Sequence, residues 1–193
     1  MHIVNSSQLS HLPSRMQPKI NMPLISAFVE RWHPETNSFH LPFGEMTITL
    51  HDVHFLLGIP VHGRAIRVET NHPDTLKRSL SAHLLMSDAA IRNNFKSAGF
   101  KRTTIEDALR AHNLPHHSHA IMYLLWLIGT SLFVDKSATR VTIGFLPFLQ
   151  QLDQVQMYAW GAAALANQYR QLGIASRIGC KQIDGCLSLV QVW

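Results

Sequence analysis

A mostly α-helical single globular domain, with a few short β-strands near residues 39–68, is the fold class this chain predicts. Three observations carry it. The length of 193 residues suits one domain. Apolar residues recur at helical spacings of three and four along several segments that open on capping residues. Strand-like runs bounded by Pro and Gly are confined to the stretch between Phe39 and Val68. A chain this long can bury about 70% of the surface its unfolded form exposes, so folding requires neither metal nor disulfide.

Residues 1–20 carry Ser, Gln, His and two prolines without an apolar period, and predict a flexible leader ahead of a domain spanning 21–193. Asn21 is placed to cap a helix running to about Arg31, with Pro23 in its first turn. Ile25, Phe28, Val29 and Trp32 line its inward face, and His33-Pro34 ends it. Phe39–Phe43 and Glu45–Ile48 read as two strands around a turn at Pro42–Gly44. Thr49 is the N-cap of a helix over Leu50–Leu57, Asp52 completes a variant capping box, and Gly58 is the C-cap. Leu50, Val53, Leu56 and Leu57 form its packed stripe. Ile59–Val68 is extended, or a short hairpin turned at His62-Gly63.

Leu76–Phe95 predicts a bent or interrupted helical region. Thr103-x-x-Glu106 forms a capping box for a short helix ending near His112. Pro115 separates that helix from a long one over His117–Phe133, apolar nearly all round and so expected at the centre. Its most apolar run, Ala120–Val134, is about fifteen residues broken by Gly129, Thr130 and Ser131, short of the roughly twenty a membrane span needs. Val141–Ile143 is a strand or an extended approach to the next helix. From Asp153 an amphipathic helix puts Val155, Tyr158, Ala162, Leu165 and Tyr169 on one face, with Gln154, Gln156, Asn167 and Arg170 outside it. A last helix, Ile183–Trp193, has Leu187 and Val190 on one face. An apolar helix ending at Trp193 predicts either that this tryptophan docks into the core or that the chain is the N-terminal core of a longer domain, truncated at its C-terminus.

Charged residues make up only 15%, below the usual quarter or so, which fits a surface partly covered in a working assembly or one rich in His and Gln. The net charge of +5 permits an acidic partner, including nucleic acid, without requiring one. No dense basic run exists; the nearest pairs are Lys77-Arg78 and Lys101-Arg102. Cys180 and Cys186 form no CxxC, which favours a reducing intracellular compartment, and the N-terminus lacks a signal-peptide pattern.

Thirteen histidines raise the question of metal. His51-x-x-His54 and the group His112, His116, His117 and His119 are the two clusters, but neither has a nearby cysteine and the first lacks the glutamate of HExxH. Asp52 beside His51 and His54 resembles an acid–base group, yet no nucleophile elbow accompanies it and helix capping already occupies it. Glu30, Arg31, Glu35 and Glu45 read as fold-fixing charges. No phosphate-cradling Gly-rich loop occurs, so no catalytic, cofactor-binding or metal residue is assigned. Trp32, Trp126, Trp160 and Trp193 read first as core anchors, with Trp32 and Trp193, at element ends, also suited to anchoring a partner. Trp32 is expected to pack on the Leu50–Leu57 helix, and Glu30 or Arg31 to pair with a charge in the Gly44–Asp52 segment.

Four stretches resemble the plant mobile domain: residues 28–64, 123–141, 145–172 and 179–193, in the family's order and spacing. The family's ERWRPET motif stands here as Glu30-Arg31-Trp32-His33-Pro34-Glu35-Thr36, with His33 in place of arginine. GEMTITLxDV is intact at Gly44–Val53, and YxWGxAxLAxLYR stands at Tyr158–Arg170 around Trp160. This family includes MAINTENANCE OF MERISTEMS-like and transposon-encoded proteins, and some members are fused to phosphatase 7-like domains.

The resemblance implies a non-catalytic interaction scaffold in a nuclear complex, acting in transposon silencing, genome stability and meristem maintenance. The partners it implies are a phosphatase 7-like protein or a second mobile-domain protein. Its "aminotransferase-like" label implies a cofactor lysine for which no arrangement is present, and no phosphatase metal motif occurs. The alternatives are a DNA-binding domain of transposon origin and an enzyme of unknown chemistry centred on His51, Asp52 and His54. Neither a cofactor nor a membrane association is expected.

Overall fold

The computed structural model describes residues 6–16, 19–68, 73–96, 99–177, 179–180 and 182–193. A short helix, α1 (Leu12–Arg15), lies within the expected leader. Leu9 and Leu12 are fully buried. The leader expectation therefore differs from the structure at these two residues, while residues 1–5 and 17–18 lie outside the described ones. Two leucines three apart make too short a pattern to register as a period, and what buries them comes from far along the chain.

Asn21 caps α2 (Met22–Val29), its Oδ1 accepting from the Leu24 N–H at 3.2 Å. The helix stops at Val29, because Trp32 is taken into a strand. Strands β1 (Trp32–His33), β2 (Ser38–Leu41) and β3 (Gly44–Met46) form an antiparallel meander, with Trp32 opposite Phe39 and Phe39 opposite Met46. The β2–β3 hairpin matches the expectation; β1 is additional.

Both halves of the Thr49–Asp52 capping box open α3 (Leu50–Leu57): the Asp52 N–H donates to Thr49 Oγ1 at 3.2 Å and the Thr49 N–H to Asp52 Oδ2 at 2.7 Å. Gly58 closes it at φ 67°. The segment after it stays extended instead of forming a hairpin. Arg64 makes a parallel bridge to Tyr158, and a Cβ on Gly63 would collide with the Met157 carbonyl oxygen.

The expected interruption of the next helical region falls at residues 85–87, between α4 (Pro73–Leu84) and α5 (Asp88–Asn94), where Leu85 has φ 54°. A second antiparallel sheet follows outside the 39–68 region, from β4 (Phe95–Lys96), β5 (Gly99–Lys101) and, much later, β6 (Arg140–Thr142). Helix α6 (Arg102–Arg110) begins at Lys101 without a side-chain cap, so the Thr103 box does not form. Glu106 is engaged elsewhere: its Oε1 accepts from the Trp126 indole at 2.9 Å and pairs with Arg102 Nε at 3.3 Å.

Helix α7 (His116–Ser131) is the axis of the fold, with nine of its residues buried. After β6 come α8 (Leu146–Leu149), α9 (Trp160–Ala175) and α10 (Leu187–Val192). Helix α9 starts later than Asp153 because Tyr158–Ala159 is extended to bond Arg64. Helices α1, α4, α6 and α8 and strand β6 surround α7, while α9 and α10 pack on α3. The result is one mostly helical domain with two small sheets among the described residues.

Candidate interaction surface

The aromatic residues of the motif segments face inward. Trp32 is 4% exposed, its ring centroid 4.8 Å from Phe39 and 5.4 Å from Tyr169. Phe28 lies 5.1 Å from Phe39, and Trp193 lies 5.3 Å from Phe39 and 5.9 Å from Phe28. Trp193 thus docks against α2 and β2. Strand pairing aims Trp32 at Phe39 and at Tyr169 of α9, and its ring contacts are with these two. The Tyr169 hydroxyl donates to the Ile48 carbonyl and accepts from Thr47 Oγ1 at 3.0 Å, tying α9 to the approach to α3. Trp160 is fully buried, and its indole donates to the Val155 carbonyl at 2.9 Å.

The charged candidates separate into fold-fixing and free groups. The Arg31 guanidinium donates to the Ala27 carbonyl at 3.1 Å, and Glu30 points to solvent. The expected ion pair from either to the Gly44–Asp52 segment does not form among the described residues; a backbone bond from His40 N–H to the Arg31 carbonyl, 2.8 Å, joins the strands instead. Glu45 sits opposite His40, accepting from Ser38 Oγ at 2.9 Å and lying 3.4 Å from His40 Nδ1. Burial pushes the Asp52 carboxyl up, but hydrogen bonds from the Thr49 backbone and side chain and from the Trp193 side chain, with the charge of His51, hold it below its ordinary value. Glu35 and Arg170 are exposed.

Several histidines of the two clusters have ring neighbours. His51 and His54 lie 4.4 and 5.5 Å from Phe55, and His112 stacks on His119 at 5.8 Å. No group of three or more His, Cys, Asp or Glu among the described residues is arranged to hold a metal ion. Cys180 and Cys186 are both free thiols; Cys180 is exposed, while burial pushes the Cys186 thiol up to about 12. No described helix is long and apolar enough to cross a membrane.

Sequence reasoning missed a set of outward apolar side chains on two successive elements. Phe43 is 77% exposed, Phe55 64%, Met46 46% and Leu50 40%. Phe43 and Met46 belong to the β2–β3 hairpin, Leu50 and Phe55 to α3. On the helical wheel Leu50, His54, His51 and Phe55 follow one another on the side away from Val53 and Leu56. The signal was present: Phe55 falls off the packed stripe, and Phe43 stands in the turn. Solvent-facing positions on a short helix ordinarily carry charge.

The family model described as "Plant mobile domain" matches residues 10–193, reaching into the segment expected as a leader. Protein MAIN-LIKE 1 of Arabidopsis thaliana is 42% identical over 180 residues, covering 90% of this chain and 35% of the relative. Protein MAINTENANCE OF MERISTEMS of Arabidopsis thaliana is 34% identical over 177 residues, covering 90% of the chain and 37% of the relative. A serine/threonine-protein phosphatase 7 long form homolog of Arabidopsis thaliana is 36% identical over 187 residues, covering 91% of the chain but 13% of that protein. The chain therefore spans between 13% and 37% of the length of these relatives. No solved structure shows a significant match. With the family match running through both sheets and the central helix, this chain belongs to the plant mobile domain family.

Proposed function

We propose that this domain is a non-catalytic interaction module of a nuclear complex. Its partner is a phosphatase 7-like protein or a second mobile-domain protein, and its role lies in meristem maintenance and transposon silencing. The observation that carries the reading is the exposure of Phe43, Met46, Leu50 and Phe55, large apolar side chains left in solvent on two elements that follow one another in the chain. Large exposed apolar patches on soluble domains mark contact sites. The acidic motif residues support it, since Asp52 and Glu45 are engaged in holding local structure. The similarity to a phosphatase 7 long form homolog supports the choice of partner.

The test is affinity capture from plant nuclei with the tagged protein and with a Phe43→Ser/Phe55→Ser variant. Recovery of a phosphatase 7-like or mobile-domain protein by the first and its loss with the second, at unchanged melting temperature, is the expected result. Equal recovery by both removes these side chains from the interface, and recovery of neither partner rejects the reading. Binding to duplex DNA that weakens steeply with salt would instead favour a DNA-binding role.

A further inference from the structure

One recess gathers side chains that neither the core nor the exposed apolar set uses. Arg170, Gly173, Ile174 and Arg177 recur at i, i+3, i+4 and i+7, and Ser176 keeps a helical backbone past the end of α9 at φ −70° and ψ −9°. They therefore share one face. That face and the Pro34–Asn37 turn enclose a recess of about 440 Å³. Arg170 and Arg177 are both exposed, and neither guanidinium has an ion pair or hydrogen bond with a described residue.

Behind Gly173, which lines this recess, lies the Trp32 indole. Its N–H is buried and has no acceptor among the described residues. Trp160, fully buried, does have one. Buried N–H groups are nearly always satisfied, so an orphan one calls for a physical reason. Gly173 supplies the opening. A Cβ there would sit 3.7 Å from Pro34 Cβ and 3.8 Å from Trp32 Nε1, and its absence leaves that space bordered by the indole nitrogen.

We propose that this recess binds a phosphoryl group, with the guanidiniums of Arg170 and Arg177 on two sides and the Trp32 N–H donating from the floor through the gap at Gly173. Two free guanidiniums match the charge of a phosphate monoester, which approaches −2 at neutral pH, better than that of a single carboxylate. The carbonyl end of α9 carries partial negative charge, but its Leu172, Gly173 and Ile174 carbonyls already accept from Ser176 and Arg177 and do not claim the guanidinium donors. Exposed Glu35, in the turn that rims the recess, disfavours a long polyanion. The carrier is therefore a phosphorylated protein segment and not a nucleic acid. The site rests on the interaction-module reading only in this choice of carrier.

The experiment follows the four indole N–H resonances of the ¹⁵N-labelled chain, with Trp32→Phe assigning one of them. Inorganic phosphate is the first probe, followed by a phosphoserine peptide, its unphosphorylated form and duplex DNA. Saturable movement of the Trp32 signal with phosphate and phosphopeptide, but not with the unphosphorylated peptide, is expected. Each guanidinium contact is worth about tenfold or more in affinity, so Arg170→Gln/Arg177→Gln should weaken binding by about a hundredfold. Gly173→Ala fits at ordinary contact distance and fills the gap, so it should keep the fold and weaken binding. An unmoved Trp32 signal, or full binding by Gly173→Ala, overturns the proposal. A lowered melting temperature with unchanged phosphate binding in the double arginine variant also overturns it, leaving the arginines as helix-end charges. Displacement by DNA as readily as by the phosphopeptide overturns the carrier. Loss of nuclear capture with phosphate binding intact would refute the interaction module alone.

Discussion

Removing the Trp32 side chain tests whether the most distinctive motif residue is a structural anchor. Trp32 is 4% exposed and touches the rings of Phe39 and Tyr169, so it links β1 to β2 and to α9. Trp32→Ala deletes a large apolar body and leaves a cavity walled by strands and helix that cannot easily close. The cost is about 3–5 kcal/mol, including the edge and tilted ring contacts. Because the indole N–H has no acceptor among the described residues, no hydrogen bond to them is lost, and Trp32→Phe should cost clearly less. For a domain of this size each kcal/mol moves the melting temperature by about 2–4 °C, so Trp32→Ala should lower it by roughly 6–20 °C. Thermal unfolding followed by circular dichroism, with a urea midpoint as a second measure, reads the change. A melting temperature within about 2 °C of the parent would refute the reasoning, because no buried tryptophan of this contact set can be removed that cheaply.

Other positions give equally direct tests. Asp52, held below its ordinary value in the folded chain, contributes stability that is present above its unfolded pKa near 3.8 and is lost as pH falls through the lower folded value; Asp52→Asn should lower stability at neutral pH and flatten the acid limb of a stability–pH profile below about pH 4. Gly129→Ala would place a Cβ 2.5 Å from Val141 Cγ1 at the crossing of α7 and β6, so it should destabilise by about 1–3 kcal/mol in urea unfolding, where Gly173→Ala should not. In the native protein at mild alkaline pH a thiol reagent should label Cys180 and spare Cys186, whose pKa is pushed up to about 12, with both labelled in denaturant by mass spectrometry.

Features written within a few residues were legible in the sequence. The Thr49–Asp52 box, the Gly58 cap, the Asn21 cap and the Pro42–Gly44 turn all depend on neighbours along the chain, and all are present. The departures share a different cause. Thr103 did not cap because Glu106 is bonded to Trp126, on another helix. Helix α2 ended early because Trp32 pairs with Phe39 across a turn. Leu9 and Leu12 are buried by helices distant in sequence, and β6 finds β5 across some forty residues. Gln168, inside the Tyr158–Arg170 motif, is fully buried with neither carboxamide atom bonded among the described residues. No local pattern announces such contacts.

The same division bears on where function resides. The residues that make the sequence recognisable, Trp32, Asp52, Trp160 and Tyr169, hold strands to helices and cap a helix. They make the scaffold distinctive, and of them only the Trp32 N–H is proposed to meet a ligand. What solvent meets is the set that motif reading passed over: Phe43 at a hairpin tip, Phe55 off the packed stripe, and Arg177 two turns beyond Arg170 on the same helical face. Substitution at the first group should therefore alter melting and partner binding together, through loss of the fold. Substitution at the second should alter binding at constant melting temperature. A motif-wide scan that found Trp160→Phe harmless to stability but fatal to capture would reverse this assignment, since a side chain wholly enclosed and bonded to the Val155 carbonyl can reach a partner only through the structure it supports.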